Sequence, residues 1–176
     1  MSEKAAAQFI RAVPPGDDRE RAICARCDFI DYQNPKIVTG SIARWEDKVL
    51  LCRRAIEPRR GYWTLPAGYL EIGETVEAGA RREALEEARA RVKIERILGV
   101  YSVPRISQVQ IIFLAALEAP DVSPGPESLE VSLASWGDIP WADLAFPSVR
   151  RALENWREVG NSRDFAPFME TMSGAL

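Results

Sequence analysis

Apolar and polar positions alternate in short runs along most of the chain and change to helical spacing in two places. Residues 36–43 and 49–52 are apolar or β-branched with a polar stretch between them, which predicts a hairpin. Residues 58–68 are punctuated by Gly and Pro, leaving room for one short strand. Residues 75–90 are rich in Ala, Glu and Arg and contain no Pro. With Thr75 as N-cap and Glu77 in the first turn, they predict a helix of about 24 Å. Strands are predicted over 94–103, 109–117 and 130–136, and a second helix over 147–156 with Pro147 in its first turn. Strands, helix, strands, helix is the order of an α/β domain with a mixed β-sheet between helices. This domain is expected over 34–160. Residues 1–33, with Pro14-Pro15-Gly16 and no sustained periodicity, are expected to form an irregular arm, and 161–176 a C-terminal tail.

Composition narrows the chemistry. The 176 residues, 47% apolar and 28% charged, suit one globular domain with modest extras. A net charge of −3 supplies no general cationic field, so nucleic acid is not an expected partner. Of the 23 basic residues, 19 are Arg and 4 are Lys, a bias that favours bidentate recognition of phosphate and that a GC-rich genome would also produce. The sequence has no histidine, which excludes Ser-His-Asp and Cys-His triads, imidazole acid–base chemistry and His-ligated zinc. Carboxylates, Lys, Tyr, Cys, Arg or a bound ion remain. The three cysteines, Cys24, Cys27 and Cys52, fit a reducing compartment. The longest apolar run, 111–117, is too short to span a membrane, and no basic segment precedes an apolar core at the N-terminus. The chain therefore reads as soluble and cytoplasmic.

On the first helix Glu83, Glu86 and Glu87 stand at i, i+3 and i+4, so their carboxylates share one sector of the surface. Like charges at this spacing cost a few tenths of a kcal/mol per pair. A hard divalent cation would reverse that sign. The alternative is a salt-bridged, solvated face in which Arg82 pairs with Glu86, Arg91 with Glu87 and Glu77 with Arg81.

The wider spacing favours the first alternative. Gly68, Glu74, Arg82, Glu83, Glu86 and Glu87 resemble the Nudix box, Gly-x5-Glu-x7-Arg-Glu-U-x-Glu-Glu-x-Gly-U, where U is a bulky aliphatic residue. At the chain's own Glu and Arg frequencies, six such matches arise by chance on the order of once in ten thousand. Two features depart from the box: Arg89 stands in place of Gly, and Ala84 and Ala90 in place of aliphatic residues. Arg89 implies a helix that runs on slightly or accepts strain at its end. Asn34 to Val38, Leu50 to Pro58 and Gly61 to Gly68 extend the likeness to a bacterial Nudix group related to plant chloroplast flavin-adenine-dinucleotide pyrophosphatases.

The resemblance implies the Nudix α/β/α sandwich and metal-dependent hydrolysis, by water attack on phosphorus, of a nucleoside diphosphate linked to another moiety. The cofactor it implies is Mg²⁺, with Mn²⁺ as a substitute. By the same resemblance Glu86 and Glu87 hold the metal, Glu83 is a further ligand or the general base, and the Gly68 carbonyl adds an oxygen. Arg82 orients the carboxylates and Glu74 holds Arg82. A base from a later loop would be Glu127 or Glu130. Arg53, Arg54, Arg59 and Arg60 could clamp phosphates, and Trp63, Tyr69, Trp136 and Phe146 could stack on a base or flavin. Ser107-Gln108 continues as Val109-Gln110, so the signature of NADH-selective relatives is absent, and Pro104 resembles a marker of ADP-ribose enzymes. ADP-ribose or FAD is the expected substrate, with AMP released; NADH, a nucleotide-capped RNA end, or a non-catalytic ligand-sensing module are the alternatives. Relatives carry two Cys-x-x-Cys pairs as a zinc ribbon. Here only Cys24 and Cys27 are present, which cannot close a four-coordinate site unless two chains pool them in a homodimer, so structural zinc is not expected.

Overall fold

The computed structural model describes residues 8–160, 162 and 164–173. Its contacts divide the chain into two units, Met1–Asn34 and Pro35–Leu176. The smaller is not the irregular arm that its sequence suggests. It carries an antiparallel sheet of β1 (Phe9–Ala12), β2 (Arg21–Cys24) and β3 (Ile30–Asp31). Strands this short leave too few residues for periodicity to register.

In the larger unit β4 (Lys36–Trp45) and β5 (Lys48–Arg54) form the predicted hairpin, followed by β6 (Trp63–Thr64) and β7 (Ala67–Tyr69). Helix α1 (Val76–Ala88) leads to β8 (Val92–Val103), β9 (Gln108–Leu117) and β10 (Ser128–Ala134), then α2 (Pro147–Val159) and β11 (Phe168–Thr171). The sheet runs β10-β5-β4-β9-β8-β11, with β6 added on β5 and β7 on β4. It is mixed: β4 with β9 and β8 with β11 are parallel, and the other pairs antiparallel.

Period-two alternation sends neighbouring side chains to opposite cores. Ile42, Val49, Leu51 and Leu114 belong to one cluster, which α2 covers with Val149, Ala152 and Leu153. Ala43, Leu50, Cys52 and Ala115 belong to the other, covered by Ala84 and Ala88 of α1. The small face of α1 brings its backbone close to the sheet: a Cβ on Gly79 would come within 2.6 Å of Thr39 Cγ2. These two layers on one mixed sheet are the α/β/α sandwich of the Nudix fold. Among the described residues no helix is long and apolar enough to cross a membrane.

Residues 168–171 correct the expectation of a tail. β11 lies parallel to β8, Phe168 opposite Gly99 and Thr171 opposite Ser102. It is held by Glu170, whose Oε1 accepts from the buried Asn155 Nδ2 at 2.9 Å and whose Oε2 accepts from Arg151 Nε at 2.6 Å. Asn155 Nδ2 also donates to the Tyr101 hydroxyl at 3.0 Å, joining α2, β8 and β11.

Candidate active site

Helix α1 begins where predicted: the Thr75 hydroxyl accepts the Ala78 N–H at 3.2 Å. It ends by accepting strain. Arg89 takes the left-handed conformation (φ 53°), its N–H donates to Leu85 O at 3.0 Å, and the Ala90 N–H donates to Ala84 O at 3.1 Å. The bond from Arg89 to Leu85 is the single bond that a left-handed C-terminal residue, usually glycine, makes. Ala84 and Ala90, where the box has larger residues, are fully buried, which suits the close approach of helix and sheet.

The carboxylates on this helix have unlike surroundings. Glu86 is exposed, whereas Glu83 and Glu87 are only 7% and 5% exposed. Arg82 lies between them: its Nη1 donates to Glu83 Oε1 at 2.6 Å and to Glu86 Oε2 at 2.9 Å. Glu74 holds Arg82 from the preceding loop. Of the pairs in the solvated-face alternative, Arg82 with Glu86 is present, whereas Glu87 is buried and, among the described residues, no ion pair joins Glu77 to Arg81. The Ala67 N–H reaches Glu87 Oε2 at 3.3 Å. Beside it, Gly68 has a steric reason to be glycine, because a Cβ there would lie 2.4 Å from Glu83 Oε1.

Burial and charge set the electrostatics. The hydrogen bond from Arg82 holds Glu74 below the usual carboxylate range. Burial pushes Glu83 up in spite of Arg82. Burial, reinforced by the charge of Glu83, pushes Glu87 up to about 8. Among the described residues no three acidic, thiol or imidazole side chains converge at metal-ligand spacing; Glu83 and Glu86 converge on a guanidinium.

These groups open on a cavity of about 570 Å³ between the sheet and the start of α2. Of the predicted residues, Gly68, Tyr69, Arg54, Arg82, Glu83, Glu86 and Glu87 line it. Arg53, Arg59, Trp63 and Glu130 do not. Arg53 faces away from its neighbour Arg54, as successive strand residues must, and is bound to Gly61 O at 2.9 Å and paired with Glu130 at 3.5 Å. The register that sets Glu130 opposite Arg53 likewise removes it from the cavity. Arg59 lies over the Tyr62 ring at 5.3 Å, Trp63 packs on the α2 core, and Trp136 stacks edge-on against Trp141. Phe146 does line the cavity, with Arg54 over its ring at 5.2 Å, and so does Glu127.

Sequence reasoning passed over Arg105, Gln108, Gln110 and Met172, which also line the cavity. Gln108 and Gln110 had a legible signal: two polar residues at alternate positions opening an otherwise apolar strand. Met172 had none, because β11 finds its partner through tertiary contact alone.

In the smaller unit, Cys24 is buried and Cys27 exposed, and both are free thiols. The strand facing them carries Phe9 opposite Cys24, and the Gln8 carbonyl accepts the Ala25 N–H. With two thiols and no histidine in the chain, these residues do not fit a four-coordinate zinc ion.

Comparison with known proteins places this geometry. Residues 35–156 match the family described as NUDIX domain, and residues 6–33 match the Nudix N-terminal zinc ribbon. An ADP-ribose pyrophosphatase of Methanocaldococcus jannaschii is 32% identical over 119 residues, covering 65% of this chain and 69% of that protein. The NAD-capped RNA hydrolase NudC of Salmonella typhi is 30% identical over 136 residues, covering 76% of this chain and 52% of its own length, so the chain spans about half of that relative. A crystal structure of a NUDIX hydrolase from Nitrosomonas europaea superposes with a TM-score of 0.90 at 46% identity, covering 97% of both chains. With the box residues gathered on β7, α1 and the loop between them, and with a family match over most of its length, the chain belongs to the Nudix family of pyrophosphohydrolases.

Proposed function

We propose that this chain hydrolyses the pyrophosphate bond of a nucleoside diphosphate linked to another moiety, with ADP-ribose as substrate and AMP as product. The observation that carries this reading is the meeting of Gly68, Glu83, Glu86 and Glu87 with Arg54 on one cavity of about 570 Å³, a size that suits a small-molecule ligand. The likeness to the archaeal ADP-ribose pyrophosphatase supports the choice of substrate.

Glu83, Glu86, Glu87 and the Gly68 carbonyl would hold divalent cations, Mg²⁺ or Mn²⁺, which offset pyrophosphate charge and lower the pKa of a bound water. The residues fit such ions. All are hard oxygen donors, and the ionised form of the buried Glu87 calls for positive charge beside it. Arg82, anchored by Glu74, fixes the orientation of Glu83 and Glu86. Arg54 provides a phosphate contact from the cavity wall. Glu127 takes the proton of the attacking water: its side chain faces the same cavity and bonds to no described residue. The water oxygen bonds to phosphorus as the anhydride bond to the leaving phosphate breaks.

The NudC relatives favour a second reading, the same cleavage at an NAD-capped RNA end, and NADH is the small-molecule counterpart among the alternatives that the sequence leaves. FAD is the further substrate that the sequence resemblance implies. The test is AMP release from ADP-ribose, FAD, NADH and an NAD-capped RNA, each with Mg²⁺ and with EDTA. Metal-dependent release from ADP-ribose is expected. Binding without hydrolysis under any metal would overturn the reading and leave a ligand-sensing module.

A further inference from the structure

The face of β9 that runs inward as Ile112 and Leu114 of the α2-side core begins with Gln108 and Gln110, both half-buried in the cavity wall. Two amides thus stand where the pattern of the row calls for apolar side chains. They are ordered into a relay. Gln110 Nε2 donates to Gln108 Oε1 at 3.3 Å, and Gln108 Nε2 donates to the Tyr69 hydroxyl at 3.2 Å. Strand β4 holds the three together, because Val38 lies opposite Gln110 on one side and Tyr69 on the other. Tyr69 also ties the relay to the box, since its carbonyl accepts from Arg82 Nη2 at 3.0 Å.

The relay leaves two groups unused. The Tyr69 hydroxyl, accepting from Gln108, keeps its own hydrogen to donate, and Gln110 Oε1 accepts from no described residue. Neither carries charge, and the neighbouring wall is aliphatic at Val38, Val103 and Ile106. The two aromatic rings of the cavity each have a cation on one face, Lys36 on Tyr69 at 4.9 Å and Arg54 on Phe146 at 5.2 Å. A neutral donor and a neutral acceptor suit the hydroxyls of a sugar, and each ring keeps at most one face for stacking.

We infer that Gln108, Gln110 and Tyr69 form a platform that binds the sugar hydroxyls of the half beyond the pyrophosphate. The inference rests on the proposed hydrolysis of an ADP-linked compound. Its test compares ADP-ribose with methyl ADP, in which a methyl group replaces the terminal ribosyl group, on the full Mg²⁺-loaded chain. In Gln110→Leu the ratio of kcat/KM for ADP-ribose to that for methyl ADP should fall about fivefold to tenfold, as expected for a lost neutral hydrogen bond. Tyr69→Phe, which removes one oxygen and little else, should lower the ratio in the same direction, mainly through KM. Equal losses on both compounds, or an unchanged ratio in folded variants, would overturn the platform. Calorimetric Kd values for the same pair need no turnover. A wild type that hydrolyses neither compound sinks the proposed reaction, whereas a Kd ratio left unchanged by Gln110→Leu sinks the platform.

Discussion

Arg82 grips Glu74 in a two-point fork, Nε to Oε1 and Nη2 to Oε2, both at 3.0 Å. The fork joins the loop after Gly68 to the carboxylate helix, and the remaining nitrogen of the same guanidinium reaches Glu83 and Glu86. A lysine has one donor head and cannot reproduce that geometry. Arg82→Lys is therefore expected to lower kcat for AMP release about a hundredfold, and Glu74→Gln about tenfold, with far-ultraviolet circular dichroism unchanged. Wild-type turnover in both would remove the orienting role.

Glu127 and Glu130 are three residues apart and differ in position. Glu127 lines the cavity, while Glu130 is more than half exposed and paired with Arg53. Loss of a general base costs about a hundredfold to ten-thousandfold. Glu127→Gln should lower kcat within that range and Glu130→Gln by less than about twofold. The reverse order would return the base to the outer strand.

The left-handed Arg89 holds a conformation that costs a side-chain-bearing residue about 1 kcal/mol. Arg89→Gly should stabilise the domain by about that amount and raise Tm by about 3 °C. An unchanged or lower Tm would show that the capping bonds from Arg89 and Ala90 already offset the strain.

Tyr101 is fully buried and bonded to Asn155. Burial pushes its hydroxyl up to about 12. Its neutral form contributes stability that is complete below the ordinary tyrosine value near 10, and that is lost as pH rises through about 12. One of the four tyrosines should ionise late in an absorbance titration at 295 nm, and Tyr101→Phe should remove that late step. A titration in which all four ionise together near 10 would contradict the buried network.

Much of the molecule was legible in the sequence because its signals are local. The apolar and β-branched runs of β4, β5, β8 and β9, the Thr75 cap and the i, i+3, i+4 spacing of the glutamates each depend on residues close together in the chain. That is enough to name the sandwich and the family. By itself the sequence determined which side chains share a helix face and, to within about two residues, where the longer strands of the sandwich begin. Tertiary structure decided what those side chains meet. Burial separates Glu87 from the exposed Glu86, although both belong to one motif. Strand alternation sends Arg54 into the cavity and Arg53 out of it, and the choice of face depends on the register with β10 and β6. The last strand was invisible beforehand, since its four residues pair with a partner some seventy positions earlier and are anchored by a buried asparagine on α2. Such placements are set by long-range pairing and by the cost of burying an unbonded polar group, which no window of sequence contains.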